Sequence, residues 1–223
     1  MVKAELTLLR AATAKNYAYY HLLSGMDLPL KTQDEIHSYF DLNKGTEFIQ
    51  YSVDSAWVRQ VRSRYQYYWL FCEHSRRNKS LLWKTMNKLS LSIQKAIGID
   101  RIKSHSLAVG SQWYSITDNL ARYICDKEKE ISKRYRNTFI SDESAIQTIV
   151  AESNFSGNVF WKASEYNVPG NLRRIDWTRG KPYVWREEDF ITLIQSECLF
   201  ARKFDDSIDS VIIDRIRRFL EES

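Results

Sequence analysis

This 223-residue sequence predicts an α/β fold with a mostly parallel or mixed sheet, on three observations. Strand-like and helix-like segments alternate over the whole length, the pattern of βα units rather than of separate all-α or all-β blocks. Hydrophobic residues make up 43% and aromatics 13% of a chain long enough for a real core, which excludes a disordered polypeptide. No repeat, low-complexity linker or composition break interrupts it, so residues 1–223 are expected to form one domain.

The elements follow in order. Leu6, Leu9 and Ala12 share a face, so 2–15 is a helix. The apolar run from Tyr17 to Leu23 predicts a buried strand, which Gly25 and Pro29 end around the acid Asp27. "LLSGMDLPLKT" lacks the Asn-Gly or Asp-Gly chemistry of a tight hairpin and runs into the helical 33–40. It is therefore a shaped loop of the kind that holds ligands at the carboxyl edge of α/β sheets, or else a connector in which Asp27 caps backbone amides. Gly45 separates that helix from the strand "TEFIQYSV". Beyond the basic and aromatic "WVRQVRSRYQYYWLF", Leu82, Met86, Leu89, Ile93 and Ile97 recur at three- and four-residue steps, making 80–97 an amphipathic helix ended by Gly98.

"HSLAVGSQWYSIT" predicts strand, tight turn, then strand or helix start. "DNLARYICDKEKEISKRY" is a helix with a charged outer face, and "SDESAIQTIVAESNF" a helix capped by Ser141. "NLRRIDW" is a strand, "REEDFITLIQSE" a helix, "CLFARKFDD" an extended crossing and "SIDSVIIDRIRRFLEE" a closing helix.

The formal net charge of +5 suits an anionic partner: nucleic acid, a lipid surface or a nucleotide diphosphate. Cys72, Cys125 and Cys198 form no CxxC pair and are expected as reduced thiols, and Cys72 with His74 has no second ligand cluster to make a zinc site. No apolar run approaches the roughly 20 residues that cross a bilayer. The expected location is cytoplasmic.

Several positions can carry chemistry. On a helix, residues 143, 146, 147 and 150 share one face, which sets Glu143 at the rim of a buried stripe; the helix start would keep it ionised, as a general base requires. The plainer alternative is an acid that merely stabilises that start. Arg173, read on a strand, projects with Ile175 and Trp177 onto an apolar face, where something anionic should meet it. Arg202 and Lys203 alternate beside Phe200 and Phe204, so at least one faces inward unless both are solvated. In "GSQW", Gln112 and Trp113 follow a glycine that permits close backbone approach, and Trp113 can wall a sugar or fill a core. No D-x-D triad occurs, so any diphosphate handled here must be neutralised by Arg and Lys.

"LLSGMDLPLKT", "GSQWYSIT", "SDESAIQTIV", "LRRIDW" and above all "LFARKFD" stand in an order and spacing that resemble the core-2/I-branching β-1,6-N-acetylglucosaminyltransferase family, which includes peptide O-xylosyltransferases, from about Lys3 to Asp206. The resemblance implies a GT-A type fold: a Rossmann-like mixed sheet flanked by helices. It implies an inverting glycosyltransferase that moves a sugar of N-acetylglucosamine or xylose type from a UDP-sugar to an acceptor hydroxyl of a saccharide or glycoconjugate. It further implies no metal and no cofactor, with Glu143 as catalytic base, Lys203 and Arg173 as diphosphate-binding cations, and Arg202, Gln112 and Trp113 as donor contacts. Asp27 then becomes a polar anchor of the cleft loop.

Family members carry further strands upstream of the opening helix, so the chain is expected to match the C-terminal two-thirds or so of the domain, lacking those N-terminal strands. A bacterial-type member in polysaccharide synthesis, with peripheral membrane association at the inner face, completes the expectation. Two rivals remain at this level: a nucleic-acid-binding module built on the basic and aromatic stretch, against which the 28 acids and the missing RRM and KH signatures stand, and a folded but inactive transferase remnant.

Overall fold

The computed structural model describes residues 2–72, 74, 81–103, 106–160 and 169–223. Ser80 and His105, within two of the expected elements, lie outside them. The chain is α/β, as expected, and divides into two compact units interleaved in sequence. Unit 1 comprises Met1–Asn16, Tyr51–Gln112 and Asn119–Gly157; unit 2 comprises Tyr17–Gln50, Trp113–Asp118 and Asn158–Ser223.

Unit 1 is mainly helical. Helix α1 (Val2–Ala12) buries Val2, Leu6 and Leu9, the face its periodicity predicts. In unit 2, Thr32 and Glu35 form a capping box at the start of α2 (Gln33–Leu42), each satisfying the other's backbone N–H. In unit 1, the Asp54 carboxylate caps α3 (Ser55–Val61) by accepting from the amides of Ala56 and Trp57. The short α4 (Ser63–Gln66) follows, and α5 (Leu81–Ala96) stops where Gly98 takes φ +73°.

The rings of the basic and aromatic stretch are engaged within this unit. Tyr65 packs with Val61 and Val109, Trp69 stacks on Phe139 at 4.9 Å, and Arg101 covers the Tyr68 ring at 4.2 Å.

The helix expected over 118–135 is two, α6 (Asp118–Asp126) and α7 (Glu128–Arg134), parted at Lys127 with ψ near 4°. The helix expected over 141–155 is a 3₁₀ turn (Ser141–Glu143), then α8 (Ala145–Ala151), then a second 3₁₀ turn (Asn154–Asn158). Ser141 makes no capping hydrogen bond. The residue before the turn is Ile140, in the left-handed region at φ 52°.

Most of the paired strand residues lie in unit 2. β1 (Tyr19–His21) runs antiparallel to β4 (Gly110–Thr117), with Tyr19 opposite Thr117, and β3 (Phe48–Tyr51) lies on the other side of β4. The buried Glu47 carboxylate accepts from the Thr117 amide at 2.9 Å and its hydroxyl at 2.6 Å, tying the start of β3 to the end of β4.

A second sheet, order β2-β6-β5, is mixed. β6 (Phe200–Arg202) pairs antiparallel with β2 (Asp27–Pro29) and parallel with β5 (Arg173–Ile175). The expected loop over 22–32 thus contains a strand. Pro29 fits there because β2 is at the edge of its sheet, where the missing N–H breaks no inner ladder. Leu30, Trp185, Phe190, Leu193, Ala201, Phe204, Ile212 and Ile216 form one core under this sheet, closed by α9 (Phe190–Ile194) and α10 (Ser210–Glu222). Phe40, Phe48, Leu172, Leu199 and Phe200 form another.

Candidate functional site

In unit 2 the strand register sets Asp27 directly opposite Arg202. One Asp27 oxygen accepts from the Ser24 amide at 2.6 Å, and the other meets the Arg202 guanidinium at 3.2 Å. The same guanidinium donates to the Ser24 hydroxyl at 2.8 Å and lies 4.5 Å from the centre of the Trp113 ring. Asp27, Arg202 and Trp113 are therefore brought together, and the Asp27 carboxylate both anchors the 24–27 turn and compensates the Arg202 charge.

Trp185 fixes the next step of the chain. Its indole N–H donates to the Arg202 carbonyl at 2.7 Å and its amide to the Lys203 carbonyl at 2.9 Å. Lys203 itself is partly buried; its ammonium forms no salt bridge among the described residues, and its charge helps hold the Asp205 carboxyl below its ordinary value.

Arg173 is buried. Among the described residues no carboxylate contacts it; oxygens of the backbone and a hydroxyl meet it instead. Its guanidinium donates to the carbonyls of Tyr114 at 2.7 Å, Leu22 at 3.1 Å and Asn171, and to the Ser115 hydroxyl at 3.2 Å, with the Phe200 ring 5.0 Å away. Nε has no partner. The anion expected to meet this charge is replaced by dipoles, with Asp27 acting on it through space. Burial brings the guanidinium down to about 9, which still leaves it charged at neutral pH. Leu172, just before it, is held at φ 60°, a region that bulky side chains avoid.

His21, next to Arg173 in this packing, was not singled out by the sequence. Its ring sits among Tyr19, Phe40 and Phe200, and burial, the Arg173 charge and His37 bring it down to about 4. A depressed histidine is neutral when folded and protonates on unfolding. Its contribution is complete above the ordinary 6.5 and is lost as pH falls from there toward 4, at most about 3 kcal/mol. The raised carboxyls of Glu47 and Glu143 act in the opposite sense. His21→Phe is accordingly expected to flatten the acid-side loss of stability relative to wild type, read from urea midpoints between pH 7.5 and 4.5; parallel curves for the two proteins would refute it.

In unit 1, Glu143 ends the 3₁₀ turn and is half-buried. Arg64 of α4 donates to its carboxylate at 2.9 Å. Burial raises the carboxyl, the Asp142 charge adds to that, and Arg64 pulls the other way. The helix start expected to keep Glu143 ionised is a 3₁₀ turn, and the charge that favours the ionised form there is Arg64. The turn is braced by the Tyr65 hydroxyl, which donates to the Ile140 carbonyl at 3.1 Å, and by the Tyr135 hydroxyl on the Ser144 carbonyl at 3.1 Å.

Asp142 is buried, and one of its oxygens has no hydrogen-bond partner. It lines a cleft of about 480 Å³ together with Ile131, Tyr135, Asn137 and Ser141. Gln112, the last residue of this unit's share of β4, is partly exposed. Among the described residues no three His, Cys, Asp or Glu side chains are grouped as metal ligands.

The sequence pointed to neither Arg64 nor Ser24 nor Asp142. Arg64 sits 79 residues from the acid it holds, and no local pattern signals that pairing. A model of the core-2/I-branching enzyme family matches residues 1–197. No curated protein matches the chain.

Proposed function

Because the chain belongs to the core-2/I-branching enzyme family, a family of glycosyltransferases, we propose that it moves a sugar of N-acetylglucosamine or xylose type from a UDP-sugar to an acceptor hydroxyl, inverting the anomeric carbon without a divalent metal. The α/β architecture with small sheets agrees with a GT-A-like fold. In this reading Glu143 takes the proton of the acceptor hydroxyl as its oxygen bonds to the anomeric carbon. The bond to the diphosphate breaks on the opposite face, and its electron pair goes to the β-phosphate oxygen. Lys203, Arg202 and Arg173 supply positive charge for that oxygen, and Trp113 and Gln112 contact the donor.

The observation that carries the reading is Lys203. Arg202 is already compensated by Asp27 and Arg173 is held by carbonyls, whereas the Lys203 ammonium forms no salt bridge among the described residues, feels only the nearby Asp205 charge, and stands on backbone that Trp185 holds. A cation on a held backbone, free of any salt bridge among the described residues, can turn to a departing diphosphate. Arg64 beside Glu143 adds support, because its charge opposes the rise that burial imposes on that carboxyl.

The test is a thermal-shift panel of UDP-sugars with and without EDTA, on wild type and Lys203→Ala. At a hundred times the dissociation constant a true donor stabilises by about 2.7 kcal/mol, or roughly 5–10 °C for a chain of this size. The shift is expected to survive the chelator and to be lost in Lys203→Ala. A shift abolished by EDTA overturns the metal-free mechanism, and no shift with any UDP-sugar overturns the donor class.

A further inference from the structure

Helix α5 is attached by its polar side. Asn87 and Gln94, seven residues apart and so on one stripe, are its buried residues. The Asn87 side-chain oxygen accepts from the Phe71 amide at 3.2 Å, and Gln94 accepts from the Tyr68 amide at 2.8 Å while donating to the Tyr68 carbonyl at 2.9 Å. The apolar stripe is thereby turned to solvent: Leu82, Leu89, Ile93 and Ile97 are 61%, 60%, 52% and 67% exposed. With Leu81 they present on the order of 500 Å² of apolar surface, toward the upper end of the largest patch a monomer exposes, which is often functional.

The charge around this stripe is one-signed. The helix contains no acid, and Lys84, Lys88 and Lys95, at i, i+4 and i+11, share a second exposed stripe. Residues 51–112 carry eleven Lys and Arg against three Asp and Glu, a formal +8, while the whole chain carries +5. All the net positive charge of the molecule is therefore concentrated in the segment that bears the exposed apolar helix.

We propose that α5 is an interfacial helix that lays its Leu82–Ile97 stripe into a membrane surface rich in anionic lipid, with the lysines reaching the headgroups. An apolar stripe, a lysine-bearing polar face and no acid are the features of helices that lie in the plane of a bilayer. Lysine stems can run along apolar surface while the ammonium stays at headgroup level. A second copy of the chain fits less well, because a +8 segment repels itself and lysine is depleted from protein interfaces. RNA would use the lysines and leave the apolar stripe wet. No described helix is long and apolar enough to cross a membrane, so α5 lies on the surface rather than spanning it. The proposal stands apart from the reaction proposed above.

Sedimentation of the full chain with phosphatidylcholine vesicles, alone or with 30% phosphatidylglycerol, about an anionic leaflet's composition, tests it. Binding is expected to the anionic vesicles, weakened by salt and weakened roughly fivefold for each of Lys84→Gln, Lys88→Gln and Lys95→Gln. Leu89→Glu with Ile93→Glu is expected to weaken it on the order of a hundredfold. Both positions face solvent, so an unchanged melting midpoint verifies that the double variant folds. The proposal falls if neither vesicle binds, or if the double variant binds as well as wild type. It falls equally if the chain forms dimers that Leu89→Glu dissolves while vesicles are ignored, or if single-stranded RNA binds and only the lysine variants weaken it.

Discussion

Glu143→Gln is expected to lower the turnover of sugar transfer by about 10²–10⁴-fold, the usual worth of a positioned general base. The amide keeps the size of the side chain and can still accept from Arg64, so the 3₁₀ turn should stay in place. What it loses is the ability to take a proton from the attacking hydroxyl. The loss should therefore fall on kcat, with donor affinity nearly unchanged, because the interaction exists only as the bond forms.

The environment of Glu143 gives a second, sharper reading of the same experiment. Burial and Asp142 raise its carboxyl and Arg64 lowers it. A base must be ionised, so activity falls as pH falls through that carboxyl's folded value. Arg64→Gln removes the lowering influence and should move this acid limb toward higher pH, while leaving turnover at high pH closer to wild type. Equal rates for wild type and Glu143→Gln, measured on a UDP-sugar with any accepted alcohol, would remove Glu143 from the mechanism and favour an inactive remnant.

Arg173→Leu is expected to cost about 4 kcal/mol or more and, in a protein of ordinary stability, to leave much of the chain unfolded. The guanidinium satisfies Leu22, Tyr114 and Asn171 carbonyls and the Ser115 hydroxyl, so it links the segment after β1, strand β4 and the approach to β5. Leucine removes all four donations at once; the Tyr114 carbonyl keeps the Leu22 amide, and each acceptor that goes dry costs about 1–3 kcal/mol before any relaxation. Arg173→Lys should recover part of the loss, because an ammonium reaches one or two of the four acceptors but cannot reproduce a planar fork. The measurement is the urea midpoint of all three proteins. A leucine variant within about 1 kcal/mol of wild type would show that the carbonyls find other partners.

The α/β class was legible from alternation alone, and so were the elements with strong local chemistry. The left-handed Gly45 and Gly98 and the apolar face of α1 stand where the pattern puts them. β2 was missed because three residues around a proline carry no strand signal of their own; their pairing comes from β6, about 170 residues later. The orientation of α5 was missed for a related reason. Periodicity locates an apolar stripe but not the direction it faces, and here Asn87 and Gln94 had the better partners.

The site was legible in the same uneven way. Asp27, Arg202 and Trp113, picked out separately, do converge in unit 2. Glu143 and Gln112 belong to the other unit, and Arg64, which conditions the first of them, gave no signal. Long-range pairing of charges leaves no spacing to read, since either partner alone resembles ordinary surface charge.

Ile140 and Leu172 take a backbone shape that favours glycine, and they stand three residues before Glu143 and one before Arg173. Each such bend holds of order 1–3 kcal/mol, against a total of about 5–15 for a whole fold. A sizeable part of the molecule's resistance to heat is thus held as tension at two points. Glycine would slacken both, and the neighbouring carboxylate and guanidinium would then be free to wander. A hardier chain selected only for endurance could arrive there and be worse at aiming its own side chains.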